Sequence, residues 1–158
     1  MIPFRLIPLD TSVAEGLRAR RADAEGNALQ PQVADEPNAF PCRHCLRDAE
    51  PGEPMLLASY SPFQTQNTYR EIGPVFVHAD RCARHGDERA IPDQLRRRLL
   101  ALRGYDRNQI LLAGEVVPGA EVEGAIERLL SRADVAWIHV RFAKPGCFAC
   151  RIERADAA

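Results

Sequence analysis

Residues 134–154, DVAWIHVRFAKPGCFACRIER, read as two β-strands joined by a Lys144-Pro145-Gly146 turn. Side chains alternate across a strand, so Trp137, His139 and Arg141 share one face while Ala136, Ile138, Val140 and Phe142 share the other. The second face is wholly apolar and belongs on a core. The first presents an indole, an imidazole and a guanidinium, which makes the pair more than a packing element.

Working outward, residues 97–117, RRLLALRGYDRNQILLAGEVV, hold two apolar runs around Asp106, Arg107 and Asn108 and predict a hairpin, with a short helical turn over 92–96 ahead of it. The clearest helix covers 119–132, where Val122, Ala125, Ile126, Leu129 and Leu130 form one apolar face, acids fill the first turn and arginines the last. Upstream, 55–60 and 75–79 read as strands, the first ended by Pro62. Residues 4–9 form a strand that Pro8 confines to a sheet edge, and Val13, Leu17 and Ala22 give a helical stripe after Asp10 and Thr11. Residues 26–41 have no sustained period and predict a long surface loop. Together these elements describe one α+β domain over residues 1–158: a mostly antiparallel sheet of about six or seven strands with two or three helices packed on it.

With 158 residues the chain is long enough for a self-sufficient core. Twenty-one Lys and Arg balance 22 Asp and Glu, so no whole-protein positive field is available to gather nucleic acid or acidic lipid. The opening MIPFRLIPLD is too short and too punctuated by proline for a secretory signal, and no later run approaches a membrane span, which places the protein in the cytoplasm. There, five cysteines are expected to ligate metal, react or fill space rather than form disulfides.

Cys42, Cys45, Cys82 and His85 form a CxxC and a CxxH in polar, turn-like stretches. Two residues between ligands let one tight turn present both to a single ion, and two such knuckles complete a tetrahedral structural zinc site. His78 is an alternative fourth ligand through a His78 to Cys82 pair. Cys147 and Cys150 form a second CxxC, but an odd separation along a strand lets at most one of them face a given site. The plain alternative is that these are unrelated buried cysteines.

The polar strand faces form a second constellation. His139 and Arg141, Arg103 with Tyr105, and Phe76 with His78 would line a concave surface if they share one side of the sheet. Such a surface, with Arg43 and Tyr60, suits a small carboxylate or phosphate ligand held by bidentate arginine bonds. A solvated sheet face with arginine and tyrosine as cross-strand partners is the alternative. Cys42, His78, His139 and Cys147 are the candidate catalytic groups, and Arg43 and His44 beside Cys42 would favour its thiolate. No nucleophile elbow, phosphate-binding glycine loop or HExxH is present, so whether the chain is an enzyme stays open.

The stretches FPCRHCLRDAEPGEPMLLASYSPF, YREIGPVFVHADRC, LRGYD and WIHVRFAKPGCFACRIERA, in that order, resemble the bacterial family known as domain of unknown function 1203, over about 41–155. The resemblance implies no activity, cofactor or partner. It draws attention to Pro41, Cys42 and Arg43, Tyr60, Pro62 and Phe63, Tyr69 and Glu71, Gly73 to His78, Cys82, Arg103 and Tyr105, His139 and Arg141, and Gly146 and Cys147. The expected protein is one that binds a small anion, as carrier or enzyme, in an Arg/His/Cys cleft; the alternatives are a zinc-stabilised structural or interaction domain, and an interaction protein whose cleft accepts a partner's acidic tail.

Overall fold

The computed structural model describes residues 1–155 and has an α+β architecture of eight antiparallel strands in two sheets. The elements in chain order are β1 (Phe4–Ile7), α1 (Thr11–Arg20), β2 (Gln32–Val33), β3 (Pro54–Tyr60), β4 (Gly73–His78), α2 (Asp93–Arg96), β5 (Leu99–Tyr105), β6 (Leu111–Pro118), α3 (Val122–Leu130), β7 (Trp137–Phe142) and β8 (Phe148–Arg154). One sheet has the order β1-β8-β7-β5-β6 and the other β2-β3-β4. The strands are thus divided where a single sheet was expected. β2 is the additional one, two residues of the long loop pairing with Pro54 and Met55.

The larger sheet is two hairpins side by side. β5 and β6 turn at Asp106, whose Oδ1 accepts the amides of Asn108 and Ile110 at 2.8 and 2.9 Å and so closes the reversal. β7 and β8 join through the Lys144-Pro145-Gly146 turn, and Gly146 adopts φ +77°, a conformation that suits glycine. β1 adds at the edge of β8 and stops at Ile7, as Pro8 requires. On one face Leu100, Leu102, Ile138, Val140 and Ile152 form a core with Val122, Ala125, Ile126, Leu129 and Leu130 of α3, all buried. The short turn over residues 119–121 fits tightly against α2, because a Cβ on Gly119 would lie 2.0 Å from the Leu95 carbonyl oxygen.

The smaller sheet has its own core, in which Ala14 and Leu17 of α1 pack with Met55, Leu56, Ala58 and Val77. Arg43 ties the halves together. Its amide donates to the Phe76 carbonyl at 2.9 Å, its carbonyl accepts from Leu9 at 2.9 Å, and its Nε reaches the Phe148 carbonyl at 2.7 Å.

The second face of the large sheet is covered over its middle. Residues 61–72, between β3 and β4, strap across it. The side chain of Gln109 accepts from the Gln64 amide at 2.8 Å, and Phe63 inserts edge-on against Tyr105 and His139 with ring centroids 5.4 and 5.1 Å apart. A register shift sets Val140 opposite Cys150 but Arg141 opposite Phe148, leaving Ala149 as an extra residue on β8. Such a bulge re-aims side chains. It brings Phe148 within 5.3 Å of the His139 ring, and it breaks the alternation that would have separated Cys147 from Cys150; both belong to the larger core.

Candidate metal centre

Cys42 and Cys45 lie on a tight reversal whose flanks pair at Pro41 and Asp48. The Cys42 amide donates to the Arg47 carbonyl at 3.1 Å, and Leu46 takes φ +54° to close the loop. This knuckle docks against β4 through a parallel bridge between Cys42 and Phe76. It therefore meets the end of β4, where His78 sits, and Cys82 follows four residues later. The ligand atoms of Cys42, Cys45, His78 and Cys82 all lie within 4.8 Å of one another and can hold a metal ion.

Two of these separations are close to the edges of a zinc tetrahedron. Four ligands around zinc at about 2.3 Å for sulfur and 2.0 to 2.1 Å for nitrogen stand about 3.8 Å apart sulfur to sulfur and about 3.6 Å sulfur to nitrogen. Cys42 Sγ and Cys82 Sγ are 4.0 Å apart, and Cys45 Sγ is 3.6 Å from His78 Nδ1. All three cysteines are free thiols.

Outside the four lies a second layer. His78 Nε2 is 3.2 Å from Glu53 Oε2, and that carboxylate is held by Arg47 at 2.7 and 2.9 Å. A proton on Nε2 donated to Glu53 leaves the Nδ1 lone pair facing the sulfurs, the arrangement by which an outer carboxylate fixes a ligating histidine. Cys82 Sγ accepts from Arg18 Nη2 at 3.2 Å and is 3.2 Å from His44 Nδ1; the Nε2 of that buried ring is 2.8 Å from Thr11 Oγ1. Three thiolates and a dication sum to one negative charge, which Arg18 faces. Glu53 and Arg18 escaped the sequence reading because only the fold brings them near.

Without an ion the cluster shares protons unevenly. Hydrogen bonds from Cys45 and Cys82 draw the Cys42 thiol far below its ordinary range against the opposing effect of burial. The same bonds, together with burial, push Cys45 up. Burial alone would lower His78, but bonds to Cys42 and Cys82, the Cys42 charge and Glu53 outweigh it and hold the imidazole at about 10. The Arg47 bond, against burial, holds Glu53 at about 2. An anionic sulfur centre suits a divalent soft-to-borderline cation, which would displace the protons that His78 and the remaining thiols carry, so its binding should weaken as pH falls.

The other candidate residues go elsewhere. His85 is outside the cluster: its amide donates to the His44 carbonyl and its half-buried ring contacts the Asp87 carbonyl at 2.7 Å, so the histidine that meets the three sulfurs is His78. The chain between Cys82 and His85 runs back along the knuckle, which carries His85 past the sulfurs. Cys150 is sealed in the core, and burial pushes its thiol up to about 12 against the nearby Arg43 charge. Cys147 accepts from Arg43 Nη2 at 3.0 Å. Burial draws the Arg43 guanidinium down, partly offset by Cys147 and Cys42.

On the covered sheet face, Arg103 stands directly across from His139, and Tyr105 from Trp137. Arg103 Nη1 meets both oxygens of Glu71 at 3.1 and 2.9 Å, and Arg141 Nη2 lies 2.6 Å from Oε2. The anion between these arginines is therefore the protein's own carboxylate. His139 is 1% exposed, boxed by Phe63, Tyr105 and Phe148, and neither ring nitrogen has a hydrogen-bond partner among the described residues. Burial, then the charges of Arg141, Arg151 and Arg103, lower it to about 3. Tyr60 packs on Phe148 beside this box, and His78 belongs to the other sheet.

A family model described as "Protein of unknown function (DUF1203)" matches residues 39–154, a span that includes all four cluster residues and the arginine face. No curated protein and no solved structure matches the chain. No described helix is long and apolar enough to cross a membrane.

Proposed function

We propose that this chain, which belongs to the DUF1203 family, is a zinc-binding protein in which Cys42, Cys45, His78 and Cys82 hold one structural ion. The observation that carries the reading is the convergence of three sulfurs and one imidazole nitrogen within 4.8 Å of one another, backed by Glu53 behind the histidine. Four protein ligands leave no open coordination position, so the ion's role is to hold the knuckle on β4 rather than to activate water. It joins two segments remote in sequence, and its binding energy becomes folding energy.

The test is metal analysis of untagged protein. About one zinc per chain is expected, falling by roughly tenfold or more in Cys45→Ala and His78→Ala while His85→Ala retains it. Cobalt replacement should give the thiolate-to-metal charge-transfer band of a sulfur-rich tetrahedral site. A chain that refolds equally well with zinc and with chelator, and shows no cobalt band, overturns the assignment.

A further inference from the structure

Between the two sheets, away from the sulfur cluster, lies a cavity of about 470 Å³. Its walls are apolar: Leu57 and Phe76 from the small sheet face Leu99, Phe142 and Pro145 from the large one. Its polar groups are nearly all cationic, with Arg43, Arg97, Arg98 and Lys144 lining it and no aspartate or glutamate among the lining residues. Among the described residues the carboxylate that pairs with these cations is Asp48, which holds Arg98 at 2.7 Å and stands 3.7 Å from Arg97. Among the described residues one carboxylate therefore pairs with two of the four cations, and Arg43 and Lys144 have none.

The most buried of the four has no carboxylate partner among the described residues. Arg43 is 1% exposed, and its guanidinium bonds only the Phe148 and Pro41 carbonyls and the Cys147 sulfur. Buried charge is expensive unless paired with an opposite charge, and carbonyl dipoles supply only part of what a counter-ion would. Arg43 and Arg98 each place Cζ 4.9 Å from the Phe142 ring centroid, so the aromatic wall and the positive charges are held as one unit. Lys144 has no ion pair among the described residues, and it stands at the mouth.

We propose that this cavity binds a small organic carboxylate with an aromatic or branched apolar body. The charge excess selects an anion, and the walls select against a bare inorganic one. The volume lies in the usual range for a small-molecule site. The carboxylate lies toward Lys144 and Arg97, with Arg43 and Arg98 supplying field from behind, and the apolar body packs between Phe76 and Phe142. The site is separate from the Arg103 and Arg141 face, which Glu71 fills, and from the sulfur cluster.

The test uses zinc-replete protein and 2-naphthoate, with binding followed by amide shifts in two-dimensional NMR. Saturable binding is expected, with the largest shifts at Leu99, Phe142 and Cys147. The uncharged 2-naphthamide and the body-less acetate should each bind at least about tenfold more weakly. Lys144→Glu and Arg97→Glu, both on exposed side chains, should each weaken naphthoate by about tenfold with the remaining spectrum unchanged. Equal affinity for naphthoate and naphthamide, shifts centred on Trp137 to Arg141, insensitivity to both rim variants, or no saturation by about 5 mM would each overturn the proposal.

Discussion

His139→Phe should flatten the acid side of the stability profile. In the folded chain His139 titrates near 3 rather than at its ordinary 6.5, because it is buried and faces Arg141, Arg151 and Arg103. Between those values the unfolded chain binds a proton that the folded chain refuses. This group therefore destabilises the fold progressively as pH falls from 6.5 toward 3, and its contribution is neutral above 6.5. One pH unit corresponds to about 1.36 kcal/mol, so from pH 7.5 to pH 5.0 the native protein should lose about 2 kcal/mol through this histidine alone. Phenylalanine fills a similar ring-shaped space among Phe63, Tyr105 and Phe148 and has no proton to bind. Urea melts of both proteins, followed by the single tryptophan Trp137 on the same strand face, should therefore show a stability difference that shifts by about 2 kcal/mol in favour of the variant between the two pH values. Any acid sensitivity of the metal centre is common to both proteins and cancels in that difference. Whatever constant offset the larger ring introduces, parallel pH profiles would refute the reasoning, since they would mean that the imidazole is solvated and titrates normally.

Ile126→Ala deletes fully buried methylenes between α3 and the large sheet and should cost about 2 to 5 kcal/mol in a denaturant melt; a cost below about 0.5 kcal/mol would mean that the helix does not pack there. Glu71→Gln removes the carboxylate shared by Arg103 and the nearly buried Arg141, so it should cost about 1 to 3 kcal/mol and speed amide exchange across residues 61–72. Unchanged exchange in that strap would show that Glu71 does not hold it down.

The secondary structure was largely legible because its signals are local. Alternation marks strands in DVAWIHVRF, the 3.6-residue stripe of Val122, Ile126 and Leu129 marks a helix, and the Asp106 turn closes on its own side chain. The CxxC of Cys42 and Cys45 was legible for the same reason, since one turn presents both sulfurs. Legible too, from motif order along the chain, was the family resemblance. The choice between His78 and His85 was not. Both stand close to Cys82 in sequence, and only the path of the chain after β4 brings one imidazole to the sulfurs and carries the other past them. The division into two sheets depends on which strand edges meet across long sequence separations, and no local pattern encodes that. The polar face of β7 was read correctly as a face, and the family resemblance marked Phe63 and Glu71, but not that they cover it: they come from a strap with no periodicity, and a bulge at Ala149 turns Phe148 toward His139. What a side chain is can be read one residue at a time. What it meets is decided by elements far apart in sequence, and at Arg103 and Arg141 that contact is a carboxylate from the chain itself.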